Sequence, residues 1–67
     1  MLRSWHYEGY DYALFKMDGA DHLSACREDG RQGSVVSLNT MDVAMLSLLQ
    51  DSPAKRTAKA RSLLEGS

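Results

Sequence analysis

Apolar and polar positions along the chain change period once, near Leu38. Before it, aromatic and β-branched runs are separated by clusters rich in glycine and acidic residues: Glu8-Gly9, Asp18-Gly19-Ala20-Asp21 and Glu28-Asp29-Gly30-Arg31-Gln32-Gly33. Such clusters mark turns, because glycine reaches positive φ and aspartate tolerates it. The runs between them have the length of ordinary strands and predict strands over residues 2–7, 10–17, 22–27 and 34–38. After Leu38 the spacing becomes helical. Met41, Met45, Leu48 and Leu49 stand at i, i+4, i+7 and i+8, the pattern of one helical face. Asn39 or Thr40 can cap this helix, and Asp42 suits the positive end of its dipole.

Val43, Ala44 and Leu46 widen the stripe, so the helix over about 40–50 is expected to be the most buried element. Asp51-Ser52-Pro53 ends it and starts another, with Ser52 as N-cap and Pro53 in the first helical position. The second helix, 53–65, is weakly amphipathic because Ala54, Ala58, Ala60, Leu63 and Leu64 are spread around it. The fold expected is therefore a single α+β domain over residues 1–67. It is an antiparallel β-meander of three to four strands, a buried helix and a second C-terminal helix.

Turn lengths set a register, since a slip of one residue exchanges the two faces of a strand. A two-residue turn at Glu8-Gly9 sets Tyr7 opposite Tyr10, Trp5 opposite Tyr12, Arg3 opposite Leu14 and His6 opposite Asp11. A four-residue connection over 18–21 sets Leu14 opposite Ala25, Lys16 opposite Leu23 and Phe15 opposite Ser24. Pairing Arg27 with Ser34 then brings Ala25 to Val36 and Leu23 to Leu38. One face collects Trp5, Tyr7, Tyr10, Tyr12, Leu14, Leu23, Ala25, Val36 and Leu38, the seat expected for the 41–49 helix. The other face collects Leu2, His6, Asp11, Ala13, Phe15, Met17, Ser24, Cys26, Val35 and Ser37. With Leu2, Phe15, Met17 and Val35 facing outward, it carries more apolar area than a monomer usually leaves uncovered.

Composition narrows the chemistry. With 67 residues a domain buries only about 60% of the surface of its unfolded chain and usually draws extra stability from disulfides, a metal or self-association. The single cysteine, Cys26, excludes an internal disulfide and suits a reducing compartment. No apolar run reaches the length of a membrane span, and the first residues have no apolar signal segment. An intracellular, cytoplasmic protein with no membrane association is expected. Residues 1–52 hold four basic side chains against eight acidic ones, whereas 53–67 hold Lys55, Arg56, Lys59 and Arg61 against Glu65.

Catalytic and metal chemistry find little support. His22 and Cys26 lie four residues apart on an expected strand, about 13 Å, too far to share a zinc ion or a proton. His6 is two strands from Cys26, and the His6/Asp11 pair is that of an ordinary cross-strand contact. The glycines occupy separate turns, with no phosphate loop at a strand-to-helix junction. No catalytic residue, cofactor or metal is expected. Five aromatics within eleven residues (Trp5, Tyr7, Tyr10, Tyr12, Phe15) pair across strands. Of these, Tyr7 and Tyr10, beside the first turn, are the ones placed to reach a rim.

The function expected is that of a non-enzymatic protein-binding module, homodimeric, which masks or modulates a partner protein. Its partner-binding residues are Tyr7, Tyr10, Phe15, Met17 and Val35. Small phage-encoded inhibitors of host enzymes or defence complexes are similar in size and composition, with no motif behind the comparison. Two alternatives stand beside it. One is a nucleic-acid-binding module using Lys55, Arg56, Lys59 and Arg61, whose cations could meet phosphates. The other is a small subunit that folds within a larger assembly.

Overall fold

A computed structural model describes residues 3–30 and 33–66. Four strands, β1 (Arg3–Tyr7), β2 (Tyr10–Met17), β3 (Ala20–Arg27) and β4 (Gly33–Ser37), precede two helices, α1 (Thr40–Leu48) and α2 (Pro53–Glu65). The strands pair antiparallel in the order β1-β2-β3-β4, the meander expected from the turn spacing. Leu2, expected on the first strand, and Arg31 and Gln32, in the third turn, lie outside the described residues.

The first two hairpins turn on two residues each. Glu8 and Gly9 have φ of 49° and 83°, and Asp18 and Gly19 have 54° and 79°. Two consecutive positive values match the twist of the flanking strands, and glycine in second place meets that demand without strain. The β1–β2 register is the expected one in all four pairs. At the second turn the four-residue connection is corrected. Met17 pairs with Ala20, so Leu14 meets Leu23 and Phe15 meets His22. At the third, Cys26 meets Gly33 and Leu23 meets Val36, instead of Arg27 meeting Ser34. Both shifts are of two residues, the period of a strand, so every side chain keeps its expected face.

The helices exchange roles relative to expectation. Asn39 caps α1 by accepting from the Asp42 amide at 2.8 Å, and Ser52 caps α2. Yet α1 is not the most buried element. Only Leu46 of α1 is fully buried, while Met41, Met45 and Leu48, three of the four residues of the stripe assigned to the core, point outward at 74, 41 and 81% exposure, and the fourth, Leu49, is half-buried. The sheet is covered by α2, which buries Arg56, Thr57 and Ala60. The core is Tyr12, Leu14, Leu23, Leu46 and Ala60, flanked by Trp5, Tyr7, Tyr10, Val36, Leu38, Leu63 and Leu64.

Polar atoms on the aromatic side chains explain the exchange. A buried tryptophan N–H or tyrosine hydroxyl needs a partner. Trp5 Nε1 donates to Thr57 Oγ1 at 2.9 Å, and Arg61 Nε donates to Tyr12 Oη at 3.0 Å. The outward stripe of α1 is Met and Leu and could satisfy neither. Trp5 and Tyr12 stack with centroids 5.2 Å apart and fill the layer between sheet and helix. The small Thr57 and Ala60 then let α2 approach closely.

Candidate interaction surface

Both helices lie on one side of the sheet, and among the described residues nothing packs on the other. Alternation along the strands brings three cross-strand rows to this open face. They are His6, Asp11, Cys26 and Gly33; then Ser4, Ala13, Ser24 and Val35; then Phe15, His22 and Ser37. Met17 and Ala20 extend it toward the second turn. The central row is small, so the surface is shallow there. A trough of about 390 Å³ runs over Ser4, Ala13 and Ser24 between His6, Asp11 and Cys26. Phe15 and His22 rise beside it as a stacked pair, centroids 5.7 Å apart. Val35 and Met17 are exposed at the margins.

The five residues singled out from sequence therefore divide. Phe15, Met17 and Val35 share the open face. Tyr7 and Tyr10 pair with each other on the covered face and pack against the core from its rim. Sequence periodicity missed a second apolar surface, the outward stripe Met41, Met45 and Leu48 of α1. The available signal was the excess of apolar residues in that helix, more than one core-facing side can absorb.

One end of the open face is polar. His6 Nδ1 donates to Asp11 Oδ1 at 2.8 Å, and Nε2 lies 3.7 Å from Glu28 Oε2. The hydrogen bond to Asp11, helped by the charges of Asp11 and Glu28, raises the His6 pKa above its ordinary value near 6.5 despite partial desolvation. A raised folded-state pKa contributes stability that is fully present below about pH 6.5 and is lost as pH rises through the folded value. An NMR titration should place the His6 midpoint above 6.5, and Asp11→Asn should return it toward that value. A wild-type midpoint at or below 6.5 would remove this ion pair from solution.

The same row sets His6, Asp11 and Cys26 on adjacent strands, with Asp11 in the middle. At about 4.8 Å per strand the imidazole and the thiol are roughly 10 Å apart. Both ring nitrogens of His6 already face carboxylates, so the imidazole is not placed to activate the thiol. His22 turns its Nδ1 to the Ala20 carbonyl at 2.9 Å and sits four residues from Cys26 on β3. Among the described residues no three His, Cys, Asp or Glu side chains converge as metal ligands.

The four cations of the C-terminal helix also divide. Arg56 is 5% exposed, its guanidinium carbon 4.6 Å from the Trp5 ring centre. Arg61 is held by Tyr12 and by Glu8 at 3.6 Å. Lys55 stands in solvent and Lys59 is half-buried, so the four form no common basic face. Among the described residues no helix is long and apolar enough to cross a membrane. Comparison with protein-family models, with curated proteins and with solved structures finds no match in any of the three.

Proposed function

We propose that this chain is a non-enzymatic protein-binding module that docks through the open face of its sheet and works by occupying a partner's surface. The observation that carries the reading is the one-sided cover of the sheet, which leaves Phe15, Met17 and Val35 without an intramolecular neighbour layer. Inhibition of a host enzyme or defence complex, as by small phage proteins, is the mode of action that a domain of this size and chemistry suits. His6, hydrogen-bonded to Asp11 and turned toward Glu28, and the separation of His22 from Cys26, support a role without catalysis.

The first occupant of the face is a second copy of the chain. Four strands at about 4.8 Å and some six residues at about 3.3 Å give a face of roughly 20 by 20 Å. That area is small beside the ≈800 Å² per partner of a standard interface, so self-association is expected to be weak and reversible, and a heterologous partner can displace it. Size-exclusion chromatography with light scattering should show a dimer at tens of micromolar that dissociates on dilution. Phe15→Asp should abolish it with the far-UV spectrum intact. A strictly monomeric wild type would sink the dimer, and loss of folding in Phe15→Asp would assign Phe15 to the core. The second apolar surface, on α1, favours one further reading, a subunit contacted on two sides within a larger assembly.

A further inference from the structure

We propose that Arg3 and Arg56, which bracket Gln50 where β1 meets the α1–α2 turn, form a binding site for the dianionic phosphate of a small molecule. Arg56 is buried to 5% exposure, yet among the described residues neither it nor Arg3 forms an ion pair with a carboxylate. Its Nη1 donates to the Gln50 carbonyl oxygen at 2.7 Å, and its Nε is buried with no acceptor. Arg3 Nη2 donates to the side-chain oxygen of the same residue, Gln50 Oε1, at 2.8 Å. Two guanidiniums therefore meet on one neutral residue. Asp51, next along the chain, is exposed and pairs with neither.

A buried charge is ordinarily matched by an opposite one. Here the second charge has the same sign. Burial, and then repulsion from Arg3, both push the Arg56 pKa down, the direction expected where a counter-ion is missing. Stacking on Trp5 compensates part of the desolvation but leaves the repulsion between the two guanidiniums that meet on Gln50 uncompensated. Charge count selects the ligand class. A phosphate monoester or inorganic phosphate carries about −1.5 to −2 at pH 7 and balances both guanidiniums, whereas a carboxylate balances one. Arginine's planar fork suits two oxygens of such a group. The site lies at the seam of β1 with the helices, on the covered side of the sheet, and does not depend on what docks on the open face.

Trp5, the single tryptophan, lies against Arg56 and reports on it. The full chain is titrated with inorganic phosphate, with AMP and with acetate, each against sodium chloride at equal ionic strength, following Trp5 fluorescence and thermal stability. A saturable change with phosphate or AMP, absent with acetate, is expected. Phosphate alone would identify the free ion as source, and a tighter response to AMP an esterified phosphate. Arg3→Ala, a change at an exposed position, should weaken the response about tenfold, the loss of one charge-assisted contact. No response beyond chloride, an equal response to acetate, or an undiminished response in Arg3→Ala would each overturn the assignment.

Discussion

Leu23→Ala is expected to lower folding stability by about 3 kcal/mol, the usual cost of emptying a fully buried leucine site. Leu23 has no exposed surface and lies in the middle of β3, opposite Leu14 on one side and Val36 on the other. Its neighbours cannot close the gap without moving two strands. A domain of this length has only about 5 kcal/mol to lose, so the variant should keep about 2 kcal/mol and be unfolded to about 3% at room temperature. Urea unfolding reads the effect as a midpoint shifted to well under half its original value with an unchanged slope. Leu48→Ala, at an 81% exposed site, is the control and should stay within about 0.5 kcal/mol of the parent. Equal losses at both positions would mean that α1 packs with its stripe inward.

Ending the chain at Ser52 is expected to abolish the fold. Removing α2 takes away Thr57 and Ala60, uncovers the face built by Trp5, Tyr12, Leu14 and Leu23, and leaves the Trp5 N–H and Tyr12 hydroxyl without protein partners. A bare four-stranded sheet with α1 attached through Leu46 has too little buried area to offset its chain entropy. Circular dichroism should lose both the strand signal and the aromatic bands, and amide resonances should collapse into the unfolded range. A truncated chain with dispersed resonances would reduce α2 to an appendage. For the same reason, truncation is a poor test of nucleic-acid binding by this helix. Charge removal at Lys55 and Lys59, whose side chains the core does not use, separates binding from folding.

The sheet was more legible in the sequence than the helices were, for physical reasons. Glu8-Gly9 admits one short turn, and the β1–β2 register followed from it. In Asp18-Gly19-Ala20-Asp21 the same turn chemistry occupies only the first two residues. Ala20 and Asp21 are weak strand formers that pairing nevertheless extends into β3. The resulting error of two residues left both faces intact. For α1, a helix apolar on most sides has no unique inward direction, and spacing alone chose the wrong one. What decides is the demand of Trp5 and Tyr12 for polar partners, which Thr57 and Arg61 meet. Arg56 was invisible as a structural residue because its role needs an aromatic ring brought from a distant strand as well as a carbonyl presented by the preceding turn. The open face was legible throughout, since it depends only on alternation.

The placement of sulfur has a chemical consequence. The core of Tyr12, Leu14, Leu23, Leu46 and Ala60 contains none. Met17, Met41 and Met45 stand exposed on the sheet margin and on α1, and Cys26 is exposed on the open face. Among the described residues, peroxide therefore meets thioethers where the molecule offers apolar surface to others. Conversion to sulfoxide makes those patches polar without opening a cavity beneath them. At these positions oxidative damage is a change of stickiness rather than of shape.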